Sequence, residues 1–433
     1  MTIDRIVVIN DISAPKGGAT ALALLSARQF RARGHAVTYL TGDAGDNAGL
    51  RALGVEIAAL GHGRLLSRST LGALSTGLYN RAASDHVATW IAANDTPGTI
   101  YHVHGWSQIL SPALFAALRP VIGRVVLSAH DFFLACPNGS FAFLRSGRVC
   151  PHVPMSVGCI TARCDRRSYA QKLWRVGRQA ILNQVYDRHH SPPILAIHET
   201  MRPFLMRAGI PGSAIETLPN PAAPWTRERI PVERNREVLF VGRLEETKGP
   251  DLAAAACRAA GVPLRMIGDG VLRAALERDY PEVMIMGHQP PDAIAQHARQ
   301  ARLLVMPSRY PEPYGLVAAE ALGSGLPVIA ADTAFLTADI EAAGAGLGVE
   351  PRDTRAFASA IRLIAEDDRR ARRMSEAAVG LAGRIALSTD AWIDRLLLIY
   401  GHRLAAVRRP AEHPSDAAAT ASRPSSVTVE GRS

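Results

Sequence analysis

Long uncharged apolar runs are missing from this sequence of 433 residues. A helix needs about 20 consecutive apolar residues to cross a bilayer, and no uncharged stretch reaches that length. The start is also unlike a signal peptide, because Asp4 precedes a short apolar run that is typical of a first β-strand. These absences predict a cytoplasmic protein.

Cysteine is scarce as well, with five residues in the chain. In a cytoplasmic protein this indicates free thiols or a metal site rather than disulfides. Four of the five fall within 29 residues that are rich in proline and glycine: Cys136, Cys150, Cys159 and Cys164. This cysteine-rich insert, residues 136–164, has little to pack, so a Zn²⁺ site could stabilise it. A buried thiol cluster without metal and redox chemistry remain as alternatives, because tight C-x₂-C pairs are missing.

A complete dinucleotide-binding motif is also missing. A strand from Arg5 is followed by a loop with Gly17-Gly18, a helix over 19–33 and a second strand, which is typical of a doubly wound domain. Because the spacing G-x-G-x-x-G does not occur in this loop, a nicotinamide or flavin site is not predicted there. A tight turn with no ligand is the alternative interpretation of the two glycines.

The length and charge of the chain favour two domains and an anionic partner. A chain of 433 residues is long for one core. The net charge of +10 fits phosphorylated substrates, an anionic membrane surface or nucleic acid. The positive segment over 163–188 is interleaved with apolar residues, which fits either membrane contact or a solvated helix that packs by its apolar stripe. Nucleic acid is disfavoured because no known binding module surrounds this segment.

The segment 302–331 carries the most informative pattern. A buried strand over 302–307 precedes a loop with Glu312 between two prolines, then a helix and a second strand, so the loop lies where parallel sheets bind ligands. The prolines keep Glu312 out of a helix. Gly315 allows close approach of backbone to a ligand, and the amides that open the helix point the same way. Glu320 can reach the same crevice if its side chain leans toward the helix N-terminus.

Together these features resemble family-four retaining glycosyltransferases. The spacing Glu312-x₇-Glu320 around Gly315 resembles their donor-sugar motif, and Gly242-Arg243 with Lys248 resembles their second donor motif. The resemblance covers roughly residues 5–402 and is strongest over 240–331. It implies the GT-B fold, an α/β architecture of two Rossmann-like, doubly wound domains that face a central cleft.

The resemblance also implies a role for each matched residue. Arg243 and Lys248 would hold the diphosphate and stabilise the charge on the leaving phosphate, Glu312 would bind the sugar hydroxyls, and Glu320 would reach the ribose. His130, at the end of a strand, would contact the far side of the sugar, and His104 is a weaker candidate. The predicted catalytic residues are His130, Arg243, Lys248 and Glu312, and the predicted binding residues are Gly17, Gly18, Gly268, Gly315, Leu316, Val317 and Glu320.

The implied reaction moves a sugar from a UDP-, GDP- or ADP-sugar to a glycan or lipid-linked glycan with retention of configuration. No cofactor is expected, and no D-x-D-like motif for a divalent ion is present. An epimerase or phosphorylase of the same fold, or a non-catalytic protein that binds sugar nucleotides, are the alternatives. The predicted organisation is an acceptor domain over 1–217 that includes the insert, a donor domain over 218–387, a returning helix over 388–408 and a disordered tail over 409–433.

Overall fold

The computed structural model of the protein describes residues 3–15, 17–63 and 70–408. The tail predicted over 409–433 lies outside the described residues. Within them, the strands form two separate sheets, and every pairing between neighbouring strands is parallel. This arrangement confirms the α/β class predicted from the strand and helix patterns.

The first sheet contains seven strands among the described residues, in the order β3-β2-β1-β4-β5-β6-β7. The apolar residues from Ile6 to Ile9 are fully buried, because helices cover both faces of a parallel sheet. The strands are β1 Arg5–Asn10, β2 Val37–Thr41, β3 Glu56–Ala59, β4 Thr99–Val103, β5 Val125–Ala129, β6 Ile194–Ala196 and β7 Ile215–Thr217.

The second sheet contains six strands in the described part of the chain, in the order β10-β9-β8-β11-β12-β13. The central strand of the predicted donor motif, β11, is buried along its whole length. The strands are β8 Glu237–Val241, β9 Leu264–Ile267, β10 Met284–Ile285, β11 Ala301–Met306, β12 Val328–Ala331 and β13 Gly346–Val349. The first sheet ends at Thr217 and the second begins at Glu237, so residues 218–236 connect the two.

Helices alternate with the strands in both halves. Those of the first half are α1 Gly18–Ala32, α2 Ala48–Ala52, α3 Thr70–Leu78, α4 Arg81–Asn94, α5 Ala113–Leu118, α6 Val157–Thr161, α7 Tyr169–Val185 and α8 Met201–Arg207. Those of the second half are α9 Pro250–Ala260, α10 Arg273–Asp279, α11 Pro291–Ala298, α12 Leu316–Gly323, α13 Thr337–Ala342, α14 Thr354–Ala365, α15 Asp368–Ile385 and α16 Thr389–Arg408.

The last helix, α16, packs against the first half of the molecule. Tyr400 is fully buried, its ring lies 5.6 Å from that of Phe30, and its hydroxyl lies 2.6 Å from His102 Nδ1. At the other end of the helix, Arg33 contacts Asp390 at 3.0 Å. These contacts join residues at least 298 positions apart in the sequence and support the predicted return of the chain.

The carboxyl ends of both sets of parallel strands face a common cleft, where the loops after β1, β5, β8 and β11 meet. Open parallel sheets bind ligands at this edge. Along the described chain, none of the helices has the length and apolar character needed to cross a membrane.

Candidate active site

A cavity of about 430 Å³ lies in the cleft between the two halves. Its volume lies at the small end of the range for ligand sites, roughly 300–1,000 Å³. Residues from both sheets line it, including ten of the eleven predicted site residues: Gly17, Gly18, His130, Arg243, Lys248, Glu312, Gly315, Leu316, Val317 and Glu320. Residues that the sequence spreads over 300 positions are therefore brought into one site.

A short network of hydrogen bonds joins Lys248, Glu312 and Ser308 at the centre of the cavity. Lys248 Nζ lies 2.5 and 2.7 Å from the two carboxylate oxygens of Glu312, and Ser308 Oγ donates to Glu312 Oε2 at 2.6 Å. Burial disfavours the charged form of both side chains, but the attraction between the two opposite charges outweighs that cost. The pKa of Lys248 is therefore raised and the pKa of Glu312 is lowered. Both side chains are ionised at neutral pH.

The local backbone brings these two motifs together. Lys248 ends a short 3₁₀ helix, and Gly249 follows in the left-handed conformation with φ of 67°. A Cβ atom at Gly249 would lie 2.2 Å from the carbonyl oxygen of Pro307, a distance that no side chain can occupy. Glycine is therefore required here for the Lys248 loop to pack directly on the loop that carries Glu312.

Arg243 lies at the rim of the same cavity. Its guanidinium donates to Glu245 at 2.7 Å, and its side chain is 60% exposed. Since an exposed ion pair of this kind contributes little stability, the guanidinium is available to a phosphate in the cleft.

The start of α12 supplies backbone donors. Gly315 has φ of 80°, which glycine adopts readily, and a Cβ atom there would lie 2.7 Å from Met306 Sδ. In the described residues, the amides of Leu316 and Val317 donate to no protein acceptor. Unpaired amides at a helix N-terminus favour anions such as phosphate.

Glu320 projects from α12 into the cavity. Burial raises the pKa of its carboxyl to about 7, although a hydrogen bond from the Trp225 side chain opposes this shift. Glu320 is therefore close to half-ionised at neutral pH, whereas Glu312 is fully ionised. The two carboxylates of the motif differ because only Glu312 has a cation beside it.

Three histidines of the first half form a buried cluster behind the cavity. His130 lines the cavity, and its Nε2 lies 3.0 Å from His104 Nδ1. The rings of His104 and His102 lie 4.1 Å apart, and His102 Nε2 contacts Ser128 at 2.8 Å. Burial lowers the pKa of His130 to about 4 and that of His102 to about 3, so these imidazoles are neutral. Of the two strand-end histidines, His130 lines the site and His104 orients it.

The loop before α1 closes the cavity from the first half. Gly17 has φ of 88° and precedes the helix as its N-cap. A Cβ atom at Gly18 would lie 3.2 Å from Leu316 Cδ1, which belongs to the second half. The two halves therefore approach each other directly beside the amides of α12.

Gly268 is the one predicted site residue that does not line the cavity, and its place in the binding site stays a prediction. Its φ is 140°, and a Cβ atom there would lie 1.9 Å from the carbonyl oxygen of Gly242. Gly268 thus packs directly against the end of the strand that precedes Arg243. A glycine after a strand indicates a close approach, but the sequence does not show whether the neighbour is a ligand or backbone.

Several lining residues were not predicted from the sequence. Ser308, Tyr310 and Tyr314 come from the loop after β11, and Asn220 comes from the connection between the halves. Lys248 Nζ lies 5.7 Å from the centre of the Tyr310 ring, and Tyr314 donates to the carbonyl of Asn220 at 3.2 Å. Ser308, four residues before Glu312, could have been found from its position at the end of β11.

The cysteine-rich insert shows buried thiols but no grouping of metal ligands among the described residues. Among the described residues there is no group of three or more metal-ligating side chains placed to hold an ion. All four thiols of the insert are buried and unpaired with one another. The side chain of Lys172 is fully buried next to them, with Nζ 3.6 Å from Cys159 Sγ. The arrangement favours a buried thiol cluster, and a Zn²⁺ site in the insert stays a prediction.

Several cations of the segment 163–188, for which membrane contact was one interpretation, point inward. Arg178 on α7 is buried and donates to the carbonyls of Gly77 and Ser107 at 2.8 and 2.9 Å. Arg175 contacts the buried Asp165 at 2.9 Å. These cations, together with Lys172, are used within the fold and are not available to an anionic surface. The helix buries Lys172, Arg178, Gln179 and Leu182, whereas Leu173 of the predicted apolar stripe is exposed. Contact of this segment with a membrane stays a prediction.

Comparison with known proteins identifies the second half of the chain. The family model described as "Glycosyl transferases group 1" matches residues 225–379, which hold Arg243, Lys248, Glu312 and Glu320. Residues 225–379 of this chain therefore match the group 1 glycosyl transferase domain. The predicted resemblance is therefore confirmed.

Curated relatives share parts of the sequence. A D-inositol 3-phosphate glycosyltransferase from Nocardia farcinica is 35% identical over 163 residues, which cover 34% of this chain and 36% of the relative. A glycogen synthase from Mycobacterium tuberculosis is 28% identical over 268 residues, which cover 58% of this chain and 63% of the relative. The matched segments thus span about a third to two thirds of the length of these relatives.

Solved structures share the whole fold. Sucrose-phosphate synthase from Thermosynechococcus elongatus superposes with a TM-score of 0.68 at 18% identity and covers 93% of this chain and 99% of its own. Anabaena HepE in complex with UDP superposes with a TM-score of 0.64 at 16% identity and covers 92% and 100% of the two chains. Similarity at this level of identity shows the fold, which is the predicted GT-B fold of the group.

Proposed function

We propose that the protein is a glycosyltransferase that moves a sugar from a nucleotide-diphosphate donor to a glycan or lipid-linked glycan, with retention of configuration. The observation that carries the proposal is the single cavity in which Arg243, Lys248, two glutamates and the free amides of α12 converge. The relatives of this domain are named as glycosyltransferases and a glycogen synthase, and a similar fold binds UDP in HepE.

The charges in the cavity suit the breaking of a sugar–phosphate bond. When the bond to the anomeric carbon breaks, negative charge develops on the leaving diphosphate. Lys248, Arg243 and the amides of Leu316 and Val317 are placed to stabilise that charge, and they do so most in the transition state. Glu312 then binds the hydroxyl groups of the sugar, and Glu320 binds those of the ribose.

Retention is proposed without a covalent intermediate on the enzyme. Glu312 is ion-paired with Lys248 and hydrogen-bonded to Ser308, which lowers its ability to act as a nucleophile. The neutral His130 contacts the sugar from the opposite side. In this scheme the leaving phosphate accepts the proton of the attacking hydroxyl.

The first experiment is a calorimetric titration with UDP, GDP and ADP on the wild type, Lys248→Met and the surface control Arg355→Met. We expect one nucleotide to bind to the wild type and the control, and at least tenfold more weakly to Lys248→Met. Incubation with the matching nucleotide sugars and NMR of the products then gives the anomeric configuration. No binding by any of the three nucleotides, or a product of inverted configuration, would contradict the proposal.

A further inference from the structure

A hairpin of the first half reaches across the cleft to the donor domain. Ala142 and Val149 pair in antiparallel fashion, and Phe143 N donates to the carbonyl of Arg148 at 2.8 Å. We call residues 142–149 the hairpin arm. The carbonyl of Ser146, at its tip, accepts a hydrogen bond from Arg352 Nη1 of the donor domain at 2.9 Å. The cysteine-rich insert therefore presents an arm to the donor domain.

The contact at the tip is close. Gly147 has φ of 76°, and a Cβ atom there would lie 2.6 Å from Arg352 Nη1 and 2.9 Å from the carbonyl oxygen of Arg309. Only glycine fits this conformation and this space. The arm therefore lies against the loops that follow β11 and β13.

A second cavity, of about 300 Å³, lies between the arm and the donor domain. Arg148 and Val149 of the arm line one side, and Asp332, Thr333, Glu350 and Pro351 line the other. Ser308 lines both this cavity and the donor cavity, and its hydroxyl holds Glu312. The second cavity therefore adjoins the place where the proposed function puts the transferred sugar.

This cavity is lined by charged side chains of both signs, which a ligand could contact. Within the described residues, no other side chain pairs with Arg148 or Asp332, and the Asp332 carboxylate accepts a hydrogen bond from the backbone of Thr333. The backbone of Asp332 is fixed, because its amide donates to the carbonyl of Val349 at 2.8 Å. Burial and the neighbouring Glu350 raise the pKa of the Asp332 carboxyl. One cation and one carboxylate, neither of which is paired with another side chain of the described residues, thus face the same space.

An anionic ligand is disfavoured by the other charges. Arg309 is paired with Asp251, and Arg352 lies 3.6 Å from Glu350, so neither is a free cation. Asp332 and Glu350 would repel a phosphate or carboxylate. Sugar hydroxyls, by contrast, both donate and accept hydrogen bonds, and the exposed Val149 beside Pro351 offers an apolar surface for the C–H face of a pyranose.

We propose that this cavity is a second carbohydrate subsite, which binds the neutral sugar unit of the acceptor next to the bond that is formed. The proposal rests on the proposed function, because that function places the transferred sugar at Glu312. It predicts that Asp332 and Arg148 determine affinity for the acceptor and leave affinity for the nucleotide unchanged.

The test uses the full chain and two separate binding measurements. Saturation-transfer NMR in the presence of UDP measures binding of methyl glycosides of glucose, galactose, mannose and N-acetylglucosamine, and of the disaccharides built from each. Calorimetry measures UDP, GDP and ADP. The variants are Asp332→Asn and Arg148→Gln, and the matched controls are Asp85→Asn and Arg355→Gln, which replace exposed side chains outside both cavities. Circular dichroism checks that all variants fold.

We expect at least one disaccharide to bind more tightly than its monosaccharide, and each cavity variant to weaken that binding about tenfold, because hydrogen bonds to charged groups contribute roughly 1.5–3 kcal/mol. Nucleotide binding should be unchanged in every variant. The proposed subsite is contradicted if no saccharide binds while the nucleotide still binds. It is also contradicted if the cavity variants bind saccharides as tightly as the control variants do. Failure of the wild type to bind any nucleotide would instead overturn the proposed function.

Discussion

Lys248 Nζ contacts both carboxylate oxygens of Glu312, at 2.5 and 2.7 Å, so the proposed phosphate ligand and the proposed sugar ligand form an ion pair with each other. The relative exposure of the Glu312 side chain is 11% and that of Lys248 is 23%. A donor that binds here must share Lys248 with Glu312. The pair thus links the stability of the domain to the affinity of the site.

Replacing Lys248 should therefore reduce stability as well as nucleotide binding. Lys248→Ala leaves the Glu312 carboxylate buried without a cation, and we expect a loss of about 3 kcal/mol in the free energy of unfolding. Urea denaturation measures this loss. In the double variant Lys248→Ala, Glu312→Ala, the total loss should be clearly smaller than the sum of the two single losses.

Arg243→Ala is the matched control for this experiment. Its side chain is exposed and its partner Glu245 lies on the surface, so we expect stability to change by less than about 0.5 kcal/mol. Nucleotide affinity should nevertheless fall. If the losses in the free energy of unfolding of the Lys248 and Glu312 substitutions are strictly additive, the ion pair does not contribute to stability.

Affinity for the nucleotide sugar should decrease below pH 7 because of Glu320. Burial raises the pKa of this carboxyl to about 7, so the ionised form that accepts hydrogen bonds from the ribose is lost as the pH falls through that value. We expect the dissociation constant to rise about fivefold between pH 7 and pH 6, because the ionised fraction falls from about one half to about one tenth. A nucleotide sugar is used rather than a free diphosphate, whose terminal phosphate titrates in the same range.

Glu320→Gln supplies the control for this pH dependence. The amide keeps the size of the side chain but does not titrate, so its weaker binding should be the same at pH 6 and pH 8. If the wild type binds equally well across this range, Glu320 does not bind the ribose in its ionised form.

The donor motif could be predicted from the sequence because it is local. Glu312, Gly315 and Glu320 lie on one loop and one helix between two apolar strands, and strand–loop–helix order alone places that loop at the ligand-binding edge. The Arg243 and Lys248 loop could be predicted for the same reason. Both halves of the fold could be predicted because buried strands alternate with helices along the sequence.

Contacts between distant segments could not be predicted in this way. Periodicity showed that α7 is basic and amphipathic, but it could not show that Arg178 turns inward to the carbonyls of Gly77 and Ser107. Cysteine spacing could not show that Lys172 lies among the thiols. The approach of Tyr400 to His102 spans 298 residues, and only the folded chain brings the two together.

The charge of Lys172 should matter less to stability than the volume of its side chain. Its side chain donates to the sulfur of Cys159 and interacts with that of Cys164, and in the described chain it forms no ion pair with a carboxylate. We expect Lys172→Met, which keeps a long apolar stem, to change the free energy of unfolding by less than about 1 kcal/mol. Lys172→Ala should cost about 2–4 kcal/mol, because it leaves a cavity in the insert.

Denaturation of the two Lys172 variants, together with zinc analysis of the purified protein, checks this interpretation. Equal and large losses in both variants would show that the ammonium is essential, as the partner of a thiolate. Stoichiometric zinc would show that the insert is a metal site after all.

Sugar transfer should persist without divalent ions. Lys248, Arg243 and the amides of Leu316 and Val317 supply the positive field around the diphosphate, and the sequence has no D-x-D-like motif to hold a metal beside it. Hydrolysis or transfer of the bound nucleotide sugar is measured with EDTA and again with added Mg²⁺. Rates within about twofold of each other are expected, and complete loss in EDTA would contradict this account of the phosphate site.

Closure of the cleft should depend on the contact between Gly18 and Leu316. A Cβ atom at Gly18 would lie 3.2 Å from Leu316 Cδ1, so the larger side chain of Gly18→Val would push the two halves apart beside the amides that hold the phosphate. We expect a decrease of at least tenfold in kcat/KM with a smaller effect on stability, since Leu316 is only partly buried at the edge of the two cores. Trimming the facing side chain in the double variant Gly18→Val, Leu316→Ala restores the space and should recover part of the loss. A double variant as slow as Gly18→Val would mean that the valine acts on α1 itself and that closure does not depend on this contact.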